Sequence, residues 1–349
     1  NELQVLQSNN GEAIFGKLTI NNTGGADSIA VSVPKGNDIR VRDTLNMERG
    51  VFDIDKNLLV LEENAAIIEG NPFSTHNMIQ TNISFTDIGI KKYFPGITSD
   101  TSFIYPIGSG GKYTPVEFDI TGMNAGGSIR VKAADEIHPT ITNDDEPCDE
   151  IIDSLNVLKY HWLMEAEGVS NFSGDVRMHY ADGDVQVDNT LAGTSYDVSD
   201  YITARLLMSS TQWNKYDPES FKETDQQLEF SFSGADDEHI SGDYTAGVED
   251  QDGTCKGAIP DEVAAYVTVF DGDWAEKSTW DTYPESGGNV PSGGPRGAVA
   301  IIEHEVTLTR DYLVNYKTTI DSGDVVNGML KVDDTYGHRL GIVDGVGTL

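Results

Sequence analysis

Val116-Glu117-Phe118-Asp119-Ile120, followed shortly by Ile129-Arg130-Val131-Lys132, sets an apolar residue against a charged one at nearly every step. A period of two places one set of side chains on a core and the other in water, which is the pattern of a half-buried β-strand. The same alternation returns in Ile39-Arg40-Val41-Arg42, Val176-Arg177-Met178-His179-Tyr180 and Leu228-Glu229-Phe230-Ser231-Phe232-Ser233. Glycines break these runs in turn contexts such as Gly24-Gly25, Gly110-Gly111, Asp182-Gly183 and Gly287-Gly288. Helical periodicity is scarce. Asp149 to Glu167 carries Ile151, Ile152, Leu155 and Leu158 at helix-compatible spacing, yet Val157-Leu158-Lys159-Tyr160-His161-Trp162 also reads as a strand, and the strand is preferred. The expected fold class is all-β.

Three segments follow from the texture of the strands. Residues 1–140 hold short, closely spaced apolar runs (Lys17-Leu18-Thr19-Ile20, Thr44-Leu45-Asn46-Met47, Leu58-Leu59-Val60-Leu61, Ala66-Ile67-Ile68) that suit β-solenoid rungs, each burying its face against its neighbours. Residues 145–258 have longer alternating strands bracketed by Cys148 and Cys255, and are expected to form a β-sandwich. Residues 265–349 return to short runs: Val299-Ala300-Ile301-Ile302, Val306-Thr307-Leu308-Thr309, Thr318-Thr319-Ile320 and Met329-Leu330-Lys331-Val332. The first and third segments read as the second half of one solenoid-like module and the start of the next.

Composition narrows the function. The 349 residues include 38% hydrophobic side chains, enough for real cores. The 58 acidic against 23 basic residues leave a formal net charge of -35. That field repels nucleic-acid phosphates and anionic lipid and attracts divalent cations. No apolar run approaches the roughly 18 residues of a membrane helix, so no membrane insertion is expected. Asn1-Glu2-Leu3-Gln4 opens without an initiator Met or a basic and apolar leader, the look of a processed chain or of an excerpt from a longer one. Cys148 and Cys255 both sit in polar stretches, where buried thiols are unusual, so a disulfide and an oxidising location are expected.

Gly272-Asp273-Trp274-Ala275-Glu276-Lys277-Ser278-Thr279-Trp280, then Val290-Pro291 and Val299-Ala300-Ile301-Ile302-Glu303-His304-Glu305-Val306-Thr307-Leu308, resembles a recurrent entry motif of large Bacteroidota cell-surface proteins exported by type IX secretion, gliding-motility adhesins among them. Thr44 to Phe52 with Leu58 to Leu61, Phe103 to Val116, and Asp243-Tyr244-Thr245-Ala246-Gly247 are similar to further segments of that family. The resemblance covers most of the chain through loose structural signatures. It implies an extracellular, cell-surface location and a role in adhesion or fibre building, and it supplies no active-site residues. If residues 1–70 and 265–349 are halves of one module, further copies of the chain are the expected partners, joined head to tail. No C-terminal sorting domain is visible in this stretch.

Candidate sites are modest. The seven histidines are scattered without HxH, HExxH or HxxE pairing, and GxSxG, Walker and dinucleotide motifs are absent, so no enzyme is expected. Asp182-Gly183-Asp184 with Asp188, and Asp250 with Asp252-Gly253, place hard oxygen ligands on tight turns and make calcium the expected cofactor, although Asp-Gly pairs are also ordinary turns. Trp213-Asn214-Lys215-Tyr216 lies among polar residues and is read as an exposed aromatic site for surface polysaccharide, whereas Trp274 and Trp280 are read as core residues. Ser28, Thr44 and Ser154 follow an aspartate in a pattern that resembles the Bacteroidota O-glycosylation signal. The leading function is thus a structural or adhesive repeat. The alternatives are a carbohydrate-binding module of an adhesin and, behind it, a polysaccharide-active enzyme.

Overall fold

The computed structural model describes residues 2–8, 11–22, 29–81, 89–124, 126–141, 156–187, 196–207, 210–249, 258–284, 290–291, 293–295, 297–309, 316–321, 328–332, 340 and 342–345. The fold is all-β. Among the described residues the α-helix is confined to a single turn, Asp237–Ile240, capped by the Asp236 side chain.

In the N-terminal part the chain steps back and forth between two sheets. Gln4–Val5, Ile29–Ser32, Val51–Asp55, Ile79–Thr81 and Ile107–Ser109 pair in parallel in one sheet. Glu12–Asn21, Asp38–Arg49, Leu58–Leu61 and Gly89–Phe94 pair in parallel in the other. Alternate residues turn inward: Val31, Phe52, Ile54 and Ile79 from the first sheet share a core with Ile39, Val41, Leu45, Leu59 and Ile90 from the second. Each strand pairs mainly with the strands before and after it in its own sheet, so the stack is stabilised by contact between successive strands.

The turns between the sheets are held by buried asparagines. Asn57 Nδ2 donates to the carbonyls of Val33 (3.0 Å) and Ile54 (2.8 Å), and its Oδ1 accepts the Asn37 amide at 2.8 Å. Asn37 repeats the device, accepting the Ser8 amide at 2.9 Å and donating to Pro34. Backbone groups buried at a turn need such partners, and a side-chain amide supplies both donor and acceptor.

Gly89–Phe94 is the switch from parallel to antiparallel pairing. Its one neighbour is Leu58–Leu61, parallel, and its other is Gly127–Ala134, antiparallel. Gly89 has φ +84°, and a Cβ there would lie 2.5 Å from the Val131 carbonyl oxygen, so only glycine fits. The Lys92 ammonium is turned inward to donate to the carbonyls of Glu62 and Glu63 at 2.7 and 2.8 Å, and burial pushes its pKa down to about 8.

Beyond the switch the same sheet continues antiparallel through Gly127–Ala134, His161–Glu167, Gly242–Val248, Tyr201–Leu207 and Trp213–Lys215. Facing it is an antiparallel sheet of Thr101–Tyr105, Val116–Gly122, Phe172–His179, Gln227–Ala235 and Phe221–Lys222. Phe118, Phe172, Val176, Phe230 and Trp162 fill the space between. The sandwich therefore draws strands from 101–134, and the shared sheet runs across the expected break between 140 and 145. The reason lies in the strands: Val116–Gly122 and Gly127–Ala134 bury every second residue against the sandwich core, so they pair with its strands.

The C-terminal part is again parallel. Ala265–Thr268, Val299–Ile302, Lys317–Ile320 and Ile342–Gly345 form one ladder, and Gly272–Asp273, Glu305–Leu308 and Met329–Val332 a second, the chain alternating between them from Val299 onward. Trp274 and Trp280 are buried edge to face at 4.8 Å. Their ring N–H groups donate to the Pro295 carbonyl (3.0 Å) and the Trp274 carbonyl (2.9 Å), which lets both indoles sit in a core at little polar cost. This part packs on the sandwich through Ile141, Val157, Leu206, Trp213, Val299 and Tyr316.

Candidate functional site

Four strands end the parallel ladders: Gln4–Val5 and Glu12–Asn21 at one end, Met329–Val332 and Ile342–Gly345 at the other. Each is paired on one side among the described residues, so its far side offers backbone donors and acceptors to another strand. Apolar side chains accompany these edges. Val5 is 57% and Ile14 49% exposed at the first end, and Val343 45% and Val332 40% at the second. Ion pairs run across the ladders beside them. Arg40 bridges Glu12 (2.9 Å) and Glu62 (2.5 Å) over three strands, and Lys331 meets Glu305 at 2.5 Å. Exposed pairs of this kind add little stability. Chemically the edges can extend a parallel sheet.

The residues singled out from sequence fall elsewhere. Trp213 begins a strand rather than an exposed loop and is only 5% exposed, packed edge to face on His138 with ring centroids 5.0 Å apart. Tyr216 is half-buried, edge to face with Phe230 at 5.1 Å. The two therefore form no shared open platform. Trp213 was misread because its neighbours Asn214 and Lys215 are polar, and on a strand that is compatible with an inward indole.

Asp182 accepts a hydrogen bond from Gln226, and Asp184 is buried. The Asp184 carboxylate closes its own turn by accepting the Ala181 amide at 3.1 Å and pairs with Lys112, which also holds Asp135. Burial pushes the Asp184 carboxyl above its usual range, against the pull of the Lys112 ammonium. Protein donors thus engage both carboxylates of this loop, and among the described residues no three His, Cys, Asp or Glu side chains converge as a metal site. Asp188, Asp250 and Asp252 lie outside the described residues, as do Cys148, Cys255, Ser28 and Ser154. Thr44 is half-exposed on Asp38–Arg49.

Two buried polar groups escaped the sequence reading. His138 Nε2 lies 3.2 Å from Asp243 Oδ2, with His161 edge to face on His138 at 5.0 Å. The other is Arg205, only 6% exposed, on the strand Tyr201–Leu207. Their distance in sequence from their partners, such as the 105 residues between His138 and Asp243, left no local signal.

No protein-family model, curated protein or solved structure matches this chain.

Proposed function

We propose that this chain is a structural segment of an extracellular surface protein or fibre, one whose stacked parallel strands act as solenoid rungs that continue onto further copies head to tail. The observation that carries this reading is the pair of parallel edges at each end of the ladders, which have no partner strand on their far side among the described residues, with Val5, Ile14, Val332 and Val343 exposed along them. Met329–Val332 would meet Gln4–Val5 of a further copy and Ile342–Gly345 would meet its Glu12–Asn21, which keeps the alternation between two sheets. Such a contact is heterologous and open, so it builds filaments rather than closed rings. The strong negative charge supports the extracellular assignment by favouring solubility at a crowded, salty surface, and the resemblance to Bacteroidota adhesins points the same way.

Sedimentation velocity over a wide concentration range tests the reading. The protein should form a ladder of linear oligomers, and Ile14→Lys, which sets a charge on one edge, should return it towards monomer. A monomer at every concentration would contradict the assignment.

A further inference from the structure

Arg205 occupies an unusual place for a charged side chain. On the strand Tyr201–Leu207, its guanidinium meets rings from both sheets of the sandwich beside the helical turn Asp237–Ile240. Three aromatic rings surround its guanidinium, with centroids at 6.0 Å (Tyr216), 5.7 Å (Phe232) and 5.9 Å (Tyr244). One terminal nitrogen donates to the His239 carbonyl, and the guanidinium also hydrogen-bonds the Tyr244 side chain. Its Nε is buried without an acceptor, and among the described residues no carboxylate is paired with it. In a chain with 58 acidic residues, a buried arginine with no carboxylate partner among the described residues is conspicuous. Burying a charge without a counter-ion is costly, and a guanidinium is well matched in shape to one carboxylate.

The same arginine lines a groove of about 240 Å³ together with Tyr216, Phe232, Ser231, Ser233 and His239. Each wall restricts what can enter. Half-buried Phe232 and Tyr216 offer apolar ring surface, which suits the C–H face of a sugar. Exposed Ser233 and His239 offer hydrogen bonds at the mouth. Ser231 donates to Asp175 at 2.6 Å and Asp236 pairs with His239, so carboxylates stand beside two of the lining residues. Their charge weighs against a dianion such as phosphate more than against a single negative charge.

We propose that this groove binds one hexuronate residue, its carboxylate on Arg205 and its ring against Phe232 and Tyr216. The inference is independent of the assembly reading, since the groove lies in the sandwich and away from the ladder edges. It makes the segment a reader of acidic polysaccharide as well as a spacer.

The test is side-chain NMR of the Arg205 Nε–H in the whole chain, titrated with galacturonate and glucuronate, with galactose and acetate as controls. A hexuronate should shift this resonance and saturate with a dissociation constant on the order of 1 mM, with both controls at least about tenfold weaker. Ser233→Trp, which fills the mouth from an exposed position, should abolish the shift while the backbone spectrum stays folded. Arg205→Lys, followed through the Phe232 and Tyr216 signals, should weaken binding at least about tenfold. No shift with either hexuronate, equal binding of galactose or of acetate, or undiminished binding in Ser233→Trp would each overturn the proposal.

Discussion

Asn57 Oδ1 accepts the backbone amide of Asn37, 20 residues earlier, at 2.8 Å, and Asn37 Oδ1 accepts that of Ser8 at 2.9 Å. The side chain of one turn thus ties down the backbone of the turn stacked before it. Asn57→Ala would strand the Asn37 amide and take this donor from the Val33 carbonyl, while the Ile54 carbonyl keeps the backbone amide of residue 57. Each buried group left unsatisfied costs about 1–3 kcal/mol, so the variant should lose about 3 kcal/mol or more in urea unfolding. A loss under about 0.5 kcal/mol, the range of an ordinary surface change, would show that the stack does not depend on this tie.

His161 gives the fold a pH dependence of known sign. Burial first, and then the neighbouring His138, push its pKa from 6.5 down to about 3, so the imidazole is neutral in the folded protein. Between those limits the unfolded chain binds a proton that the folded chain refuses. Stability is therefore full above about 6.5 and falls as pH falls, by up to about 1.4 kcal/mol per pH unit from this group. His161→Gln removes the titration, and its stability should decline less steeply between pH 7 and pH 5 in urea unfolding. Equal slopes in variant and parent would refute the assignment.

Trp213 should behave as a core residue. Trp213→Ala removes an indole packed against His138 at the junction of the sandwich and the C-terminal ladder, a change that costs about 3–5 kcal/mol. Calorimetry should show a lower melting temperature. An unchanged melting temperature would return Trp213 to the surface role its polar neighbours advertise.

The strands were legible because alternation is a local property. Val116 to Ile120 states its inward face in five residues, and the indoles of Trp274 and Trp280 were readable as core. What escaped depends on pairing between distant segments. Asn37 and Asn57 look like ordinary turn residues until one turn is stacked on the other. Arg205 differs from a surface arginine through partners distant in sequence, Tyr244 from the neighbouring strand and Phe232 from the facing sheet among them. The expected break near 140 failed to anticipate that Gly89–Phe94 joins parallel and antiparallel neighbours in one sheet, because a glycine in sequence does not announce which carbonyl it approaches.

The claim that the ladders continue from copy to copy is tested most directly by site-directed crosslinking between two single variants, Val5→Cys and Val332→Cys. Head-to-tail continuation places Gln4–Val5 of one copy beside Met329–Val332 of the next, at the roughly 4.8 Å spacing of neighbouring strands. Oxidising an equal mixture should give a mixed crosslinked dimer well above the background of either variant alone. Crosslinking in the mixture no greater than in the separate variants, at concentrations where oligomers sediment, would contradict the account.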